Sequence, residues 1–350
     1  MSRSRHPLDR LSEAARSKLR TVAQPRWTDP MLATLTDERF ADPEWIYERK
    51  LDGVRLLVFG DGGELRLMTR NRKERGATYP EVADALRDRA ATDFVADGEV
   101  VAFDGAVTSF ARLQSRIQVG DEEEARRRAR EVPVILYLFD LLHLDGHDLT
   151  AVPLRERKKV LKDALDWGDP VRYTPHRNRE GVAYWRTACE KGWEGVIAKD
   201  ATAPYVHGRS RSWLKFKCGH RQELVVGGFT EPEGTRVGFG ALLLGYYRDG
   251  ALIYAGKVGT GWDDEALRAL RHRMDGLERK TPPYAGAGGS ETGPEENADL
   301  PRKGVHWLTP RLVVEVGFTE WTDDGRLRHP RYLGMREDKD PSEVVRERPV

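Results

Sequence analysis

Hydrophobic and polar positions alternate with a period of two over much of this chain, and stretches with helical spacing are fewer. Val54 to Phe59 and Glu64 to Thr69 flank Gly60-Asp-Gly-Gly63, which predicts a β-hairpin. Trp45-Ile-Tyr47 reads as a strand running into Lys50. Phe94 to Gly105 reads as a strand pair bent at Asp97-Gly-Glu99, because a glycine inside a strand marks a kink. Val134 to Leu142 is apolar almost throughout and predicts a buried central strand ending in a turn at Asp145-Gly146. Trp193 to Asp200 is a further strand. Ser212 to Lys217 alternates strictly, with Trp213, Lys215 and Lys217 on one face and Leu214 and Phe216 on the other. Helical spacing predicts helices at Leu8 to Leu19, Asp121 to Val132, Leu154 to Leu165, Glu180 to Lys191 and Asp263 to Leu277, the third and fourth as surface helices outside the sheet. Asp121 and Glu124 form a capping-box pattern. The pairs Glu122/Arg126, Glu123/Arg127 and Glu124/Arg128 make that helix a solvated, self-neutralised face.

Beyond Cys218 the pattern changes to short strands, at Gln222 to Phe229, Gly240 to Tyr247, Ala251 to Val258, Val305 to Leu308, Leu312 to Thr319 and Arg326 to Arg331. Short antiparallel strands around one helix predict an oligonucleotide-binding (OB) barrel. Residues 278–304, rich in Pro, Gly and Glu, read as a mobile excursion. The fold class is therefore α+β, with a tail or short helix at 1–24, a mixed and antiparallel sheet domain at 25–220 and the barrel at 221–350. A length of 350 residues suits two such domains.

The net charge of +1 does not announce a polyanion partner. Local basic clusters at Arg70 to Arg75, Arg209 to Arg221 and Arg326 to Arg336 are what a phosphate backbone would meet. In the first cluster, at least two of Arg72, Lys73 and Arg75 read as solvated loop. Cys189 and Cys218 are too few for a four-cysteine zinc site and argue against a disulfide framework. No apolar run is long enough for a membrane span, and the first twenty residues lack the apolar core of a secretory signal. A soluble cytosolic monomer is expected.

The chemistry concentrates in Glu48-Arg-Lys-Leu-Asp-Gly-Val-Arg55, which sets an amine, a carboxylate and a guanidinium within six residues. A lysine is nucleophilic only when neutral, against a free pKa of ~10.4. Taken alone, such a stretch is a surface turn. Downstream, Glu99 and Glu194 are carboxylates on otherwise apolar strands, which is costly without a partner. Asp97 raises the same question. Lys215 and Lys217 repel each other unless an anion lies beside them, and such cations would depress the pKa of Lys50.

This series resembles the motifs of the covalent nucleotidyltransferases, namely ATP-dependent DNA ligases, RNA ligases and mRNA capping enzymes. The resemblance implies that Lys50 attacks the α-phosphate of ATP and carries AMP, while Glu48 accepts a hydrogen bond from the adenine amino group. It implies that Asp52 and Arg55 belong to the nucleotide site, with Arg55 on the ribose or phosphate side, and that Arg70 meets nucleotide phosphates and a DNA 5′ end. Glu99 is implied as a ligand of the ribose or of a divalent metal, and Glu194 as a metal ligand. Lys215 and Lys217 are implied as the α-phosphate clamp. Phe139 matches the aromatic that stacks on the purine, and core packing is an equal alternative for it. Phe110, Leu113, Gln114 and Arg116 match a further family stretch, and Arg336, Asp338 and Lys339 match the Arg-x-Asp-Lys motif ending ligase barrels.

The resemblance is nearest to the ligase module of bacterial end-joining ligases, on Gly240 to Gly245, Gly256 to Gly261 and His329 to Lys339. It implies sealing of nicked or broken duplex DNA with ATP and Mg²⁺ or another divalent cation, in the bacterial cytosol. A Ku-like end-binding protein and separate polymerase or nuclease partners are further implications. An RNA ligase or capping enzyme is the alternative.

Overall fold

In the computed structural model, which describes residues 6–89, 93–117, 119, 121–232, 238–286, 300–301 and 303–350, the chain divides into two units. One comprises the chain up to Cys218 with Arg348–Val350, and the other is Gly219–Glu347. In chain order the first unit begins β1 (Met31–Leu35), β2 (Trp45–Arg49), β3 (Val54–Asp61), β4 (Glu64–Thr69), α1 (Pro80–Arg89) and β5 (Phe94–Asp104). It continues α2 (Phe110–Ile117), α3 (Glu122–Glu131), β6 (Val134–Leu144), α4 (Leu154–Ala164) and β7 (Val171–Tyr173). It ends β8 (Arg177–Asn178), α5 (Gly181–Glu190), β9 (Gly195–Asp200) and β10 (Gly208–Lys217).

Strands β4, β3, β5 and β6 form one antiparallel run, with β7 added parallel to β6. A second sheet has the order β8–β2–β9–β10–β1, where β1 is parallel to β10. One face of the first sheet carries Leu56, Val58, Ala96, Leu136 and Leu138 under Val82, Leu86, Leu113, Val160 and Leu161 of the helices. Its other face presents Leu57, Phe59, Val95 and Phe139 to Met31, Tyr205 and Trp213. The back of the second sheet buries Tyr47, Val196, Ala198 and Phe216 against Ala188 of α5. Each fully buried Val, Leu or Phe side chain among these contributes about 1.5–3 kcal/mol. The front of the second sheet, facing the first, is left for polar groups.

Several expectations need correction. Leu8 to Leu19 is not one helix but a 3₁₀ turn, Pro7–Arg10, and a helical turn, Glu13–Arg16, divided where Ser12 caps the second. Nor is it a tail, since Leu8, Leu11 and Ala15 enter the core and Arg10 pairs with Asp163 of α4 at 2.5 Å. The acidic stretch does not split β5. The irregularity lies across the ladder, where Asp97 pairs with Asp140 and Gly98 with Leu138, leaving Phe139 as an extra residue. Such a bulge re-aims a side chain. Helix α4 is not merely a surface helix, since Arg157 and Lys158 are fully buried. In α3, Glu122/Arg126 and Glu124/Arg128 pair as expected, whereas Arg127 turns to Glu124.

The two cysteines do pair. Cys189, near the end of α5, and Cys218, just after β10, form a disulfide. Their number in the sequence gave no hint, because the pairing depends on α5 packing behind the second sheet.

In the second unit β11 (His220–Thr230), β12 (Leu242–Arg248), β13 (Ala251–Val258), α6 (Asp264–Met274), β14 (Val305–Phe318) and β15 (Arg331–Met335) follow. The ladder runs β13–β12–β11–β14, with β15 beside β14, all antiparallel. Register shifts interrupt each of these pairings, and such bulges increase twist and let a sheet curl. Leu267, Leu270 and Met274 of α6 pack on Leu224, Leu244 and Val316. The two strands expected around Pro310 are one, because the proline falls in the register shift between Trp307 and Leu312, where the ladder with β11 needs no N–H. The expected excursion begins with Glu278–Arg279 paired to β14. Its residues 287–299 and 302 lie outside the described residues.

Reduction should release two thiols per chain and lower the unfolding midpoint of the first unit. Closing a loop of 29 residues sets a ceiling of about 3–4 kcal/mol on the loss. Cys189→Ser should reproduce the shift in a thermal melt. Two titratable thiols in the unreduced native protein would refute the pairing.

Candidate active site

Cross-strand register writes the site onto the front of the second sheet in rows. Glu48 of β2 pairs with Ile197 of β9, and Ile197 with Lys215 of β10. Ile46 pairs with Lys199, and Lys199 with Trp213. The Lys50 N–H donates to Gly195 O at 2.9 Å, and Gly195 pairs with Lys217. Residues two apart on a strand share a face, so Glu48, Lys199, Trp213, Lys215 and Lys217 stand together while the alternate positions fill the core behind. Gly195 has φ 148°, and a Cβ there would lie 2.1 Å from Phe216 O, so only glycine fits between Lys50 and Lys217.

The Glu48 carboxylate, 2% exposed, accepts from Lys158 Nζ on Oε1 and from Lys199 Nζ on Oε2, the latter at 2.6 Å. Burial alone would raise its pKa, but the two ammonium groups more than offset that and hold it below the usual carboxylate range. Lys158 also donates to Thr174 O at 3.0 Å and Phe139 O at 3.4 Å, tying β2, β6 and the end of β7 together. Lys199 lies 4.0 Å from the Trp213 ring centre and 4.2 Å from that of Phe139. Burial, countered by Glu48 and reinforced by Lys158, brings its pKa down to about 8. Sequence reasoning missed both lysines. For Lys199 a signal existed, because it is a charged residue within the apolar run Gly195–Asp200, where a cation is costly without a partner. Lys158 carried none, being one cation among several on an amphipathic helix.

Lys50 Nζ lies 2.6 Å from Glu194 Oε1. Burial pulls the amine down, yet Glu194, Glu99 and Asp52 together raise it above the ordinary lysine value. This corrects the expectation that Lys215 and Lys217 depress it: in this arrangement the carboxylates prevail. Glu99 accepts from Gly53 N–H at 3.1 Å. Asp52 is buried and its N–H donates to Thr108 Oγ1 at 3.2 Å.

Arg55 is committed to Asp97. Its Nε and Nη2 donate to the two carboxylate oxygens at 2.5 and 2.6 Å, and Nη2 also reaches Met31 O at 3.1 Å. Asp97 further accepts from Tyr205 Oη at 2.6 Å, which supplies the partner its buried position demands. Phe139 is 6% exposed, meets Trp213 edge-on at 6.0 Å, and has the Arg55 guanidinium 4.5 Å from its ring centre. Arg70 follows β4 and is half-buried, whereas Arg72 and Lys73 beyond it are exposed. Arg116 is wholly buried and paired with Glu81 at 2.7 Å, a structural tie.

Arg336, Asp338 and Lys339 belong to the second unit. Arg336 binds both Asp338 oxygens at 2.9 and 2.8 Å and lies 3.4 Å from Glu315, while Lys339 reaches Glu223 at 3.1 Å. Among the described residues no group of three or more His, Cys, Asp or Glu side chains is gathered for a metal. Glu99 and Glu194, both acting on Lys50, nevertheless suit a hard cation whose other ligands are phosphate oxygens.

Asp97 is wholly buried and the Arg55 side chain one-fifth exposed, so removing the arginine strands the carboxylate. Arg55→Ala should cost about 3–5 kcal/mol of stability, read by chemical denaturation without any nucleotide. A loss under about 1 kcal/mol, the range of an exposed pair, would show that Asp97 is satisfied without it.

The family described as ATP dependent DNA ligase domain matches residues 30–217, and that described as ATP dependent DNA ligase C terminal region matches residues 235–339. The chain is 36% identical over 333 residues to the multifunctional non-homologous end joining protein LigD of Pseudomonas aeruginosa, covering 93% of this chain and 37% of that protein. It is 37% identical over 325 residues to the multifunctional non-homologous end joining DNA repair protein LigD of Mycobacterium tuberculosis, covering 91% and 40% respectively. The chain thus spans about two fifths of the length of these relatives. The solved structure of mycobacterial DNA ligase D complexed with ATP and MES superposes with a TM-score of 0.61 at 33% identity, covering 91% of this chain and 98% of that one. The two matched stretches correspond to a nucleotidyltransferase domain and an OB-fold domain, and the chain belongs to the ATP-dependent DNA ligase family.

Proposed function

We propose that this chain seals breaks between a 3′-hydroxyl and a 5′-phosphate in duplex DNA, using ATP and a covalent lysyl-AMP on Lys50. The observation that carries the reading is Lys50 set beside Glu194, in one row with Lys217 and next to the row of Glu48 and Lys215. In the first step Lys50 Nζ attacks the α-phosphorus of ATP, an N–P bond forms, and the bond to pyrophosphate breaks. The amine must give up a proton to solvent before it attacks, because only the neutral amine is nucleophilic. Lys215 and Lys217 neutralise charge on the α-phosphate. Glu99 and Glu194 would hold Mg²⁺ or a similar ion, whose charge would offset that of the triphosphate. AMP then passes to the 5′-phosphate, and the 3′-hydroxyl attacks in line while AMP leaves.

Glu48 reads the adenine amino group through the lone pairs that Lys158 and Lys199 leave free. Asp52 lines the same site and holds the loop after Lys50. Phe139 contributes its ring to the nucleobase pocket, and Arg70 contributes a cation toward the phosphates. Arg55 acts here by fixing Asp97 and Phe139 rather than by reaching the ribose or phosphate. Arg336, Asp338 and Lys339 are assigned to the adenylation step on their motif alone. The relatives' names carry non-homologous end joining, and by analogy this chain would act on broken DNA ends with a Ku-like protein and separate polymerase or nuclease partners.

Lys50→Ala should abolish label transfer from α-labelled ATP to protein, and Lys50→Arg should do the same because guanidinium stays protonated. Label remaining on either variant would mean that the nucleophile lies elsewhere.

Glu194 is the carboxylate that does most to hold the proton on Lys50. Replacing it by glutamine removes a charge that favours the ammonium form, so the pKa of Lys50 falls and its neutral form appears at lower pH. The midpoint of the pH profile of single-turnover adenylation should move down in Glu194→Gln, even where the maximal rate is reduced. An unmoved midpoint would release Glu194 from this role.

A further inference from the structure

Among the described residues, two buried polar atoms near Glu48 have no hydrogen-bond partner, Thr174 Oγ1 and His176 Nδ1. Leaving such atoms unpaired is costly, and each one calls for a physical reason, a functional role among them. Both lie on the short link that follows β7. Strand β7 pairs with β6 as far as Tyr173 with Leu138, and Thr174 N–H donates to Leu138 O at 2.8 Å. Val171 and Tyr173 pack on the helical core that also holds Leu138. Alternation therefore puts Thr174, 3% exposed, on the opposite face, the one from which Phe139 projects. Its own carbonyl receives Lys158, the same ammonium that grips Glu48.

His176 arrives from the other side. Strand β8 pairs Arg177 with Tyr47 and Asn178 with Ile46, and one step along the same register brings His176 abreast of Glu48. Lys158, Glu48 and Lys199 all act on its ring. Burial first, and then Lys158, push its pKa down to about 4, so the imidazole is neutral at pH 7. A neutral imidazole offers one N–H and one lone pair, and a threonine hydroxyl can donate or accept. Adenine presents the matching edge, an amino group flanked by ring nitrogens that accept.

We propose that Thr174 and His176 are specificity-determining residues that meet the polar edge of the adenine of ATP beside Glu48. This rests on the reading of the pocket as the ATP site. The pairs that hold the wall in place, Glu48 with Lys158 and Lys199, use neither atom.

The test compares Lys50 adenylation from ATP, from purine riboside triphosphate, which lacks the amino group, from 7-deaza-ATP, which lacks N7, and from GTP. Thr174→Val should leave the melting temperature unchanged or raised, since it removes a buried hydroxyl that is unpaired without ligand, yet it should raise KM for ATP roughly tenfold. His176→Ala should do likewise to KM. Each variant should lose at least part of the preference for ATP over one of the two deleted analogues. Thr174→Ser should restore it, as should His176→Asn, whose amide overlays Nδ1, whereas His176→Gln should not. If wild type discriminates and both variants discriminate equally well, the inference is overturned while the ATP site stands. If wild type uses GTP and ATP alike, the reading of the pocket fails and this inference with it.

Discussion

A slip of one residue in β9 between β2 and β10 would turn every functional side chain of that strand into the core behind it. Side-chain direction in a sheet has a period of two, so register and chemistry are one constraint here. In the native register Glu48, Lys199, Lys215 and Lys217 share the front, and Tyr47, Val196, Ala198 and Phe216 share the back under α5. The hydrophobic back fixes the register, and the register places the charges. Gly195 reinforces it, since no other residue fits against Phe216 O at that point.

Charges taken out of water persist only when each has a counter-charge or a set of hydrogen bonds. The first unit solves this by pairing across elements: Lys50 with Glu194, Glu48 with Lys158 and Lys199, Arg55 with Asp97, and Arg157 with Asp140. Each pair joins strands or helices far apart in sequence, so the ionic network also fastens the two sheets and α4 around the pocket. The arrangement has a chemical consequence. A lysine that must be neutral to react is kept charged by its neighbours, and the proton is held until the carboxylate field beside it changes. Lys199 is the reverse case, a cation weakened by burial and a like charge.

Much of this was legible beforehand. The strict alternation of Trp213, Lys215 and Lys217 against Leu214 and Phe216 indicated one polar strand face, and the hairpin, the central strand and the small second unit followed from hydrophobic period and turn residues. The demand that Asp97 find a buried partner was also readable, because an unpaired carboxylate on an apolar strand is too costly. Its partner was not, since the resemblance assigned Arg55 to the ribose or phosphate side of the nucleotide.

The sequence by itself determined which residue types stand on which face of each strand, because that depends only on a local period of two. Tertiary structure alone decided what each charge meets. Lys158 looked like any cation on a helix until α4 packed its polar side inward against Glu48. The protonation of Lys50 was decided by the carboxylates that the fold gathers around it, Glu194, Glu99 and Asp52. Cys189 and Cys218 became partners only when α5 lay behind β10. Electrostatic energies and covalent pairing depend on distance in space, and distance in space is what a one-dimensional pattern leaves open.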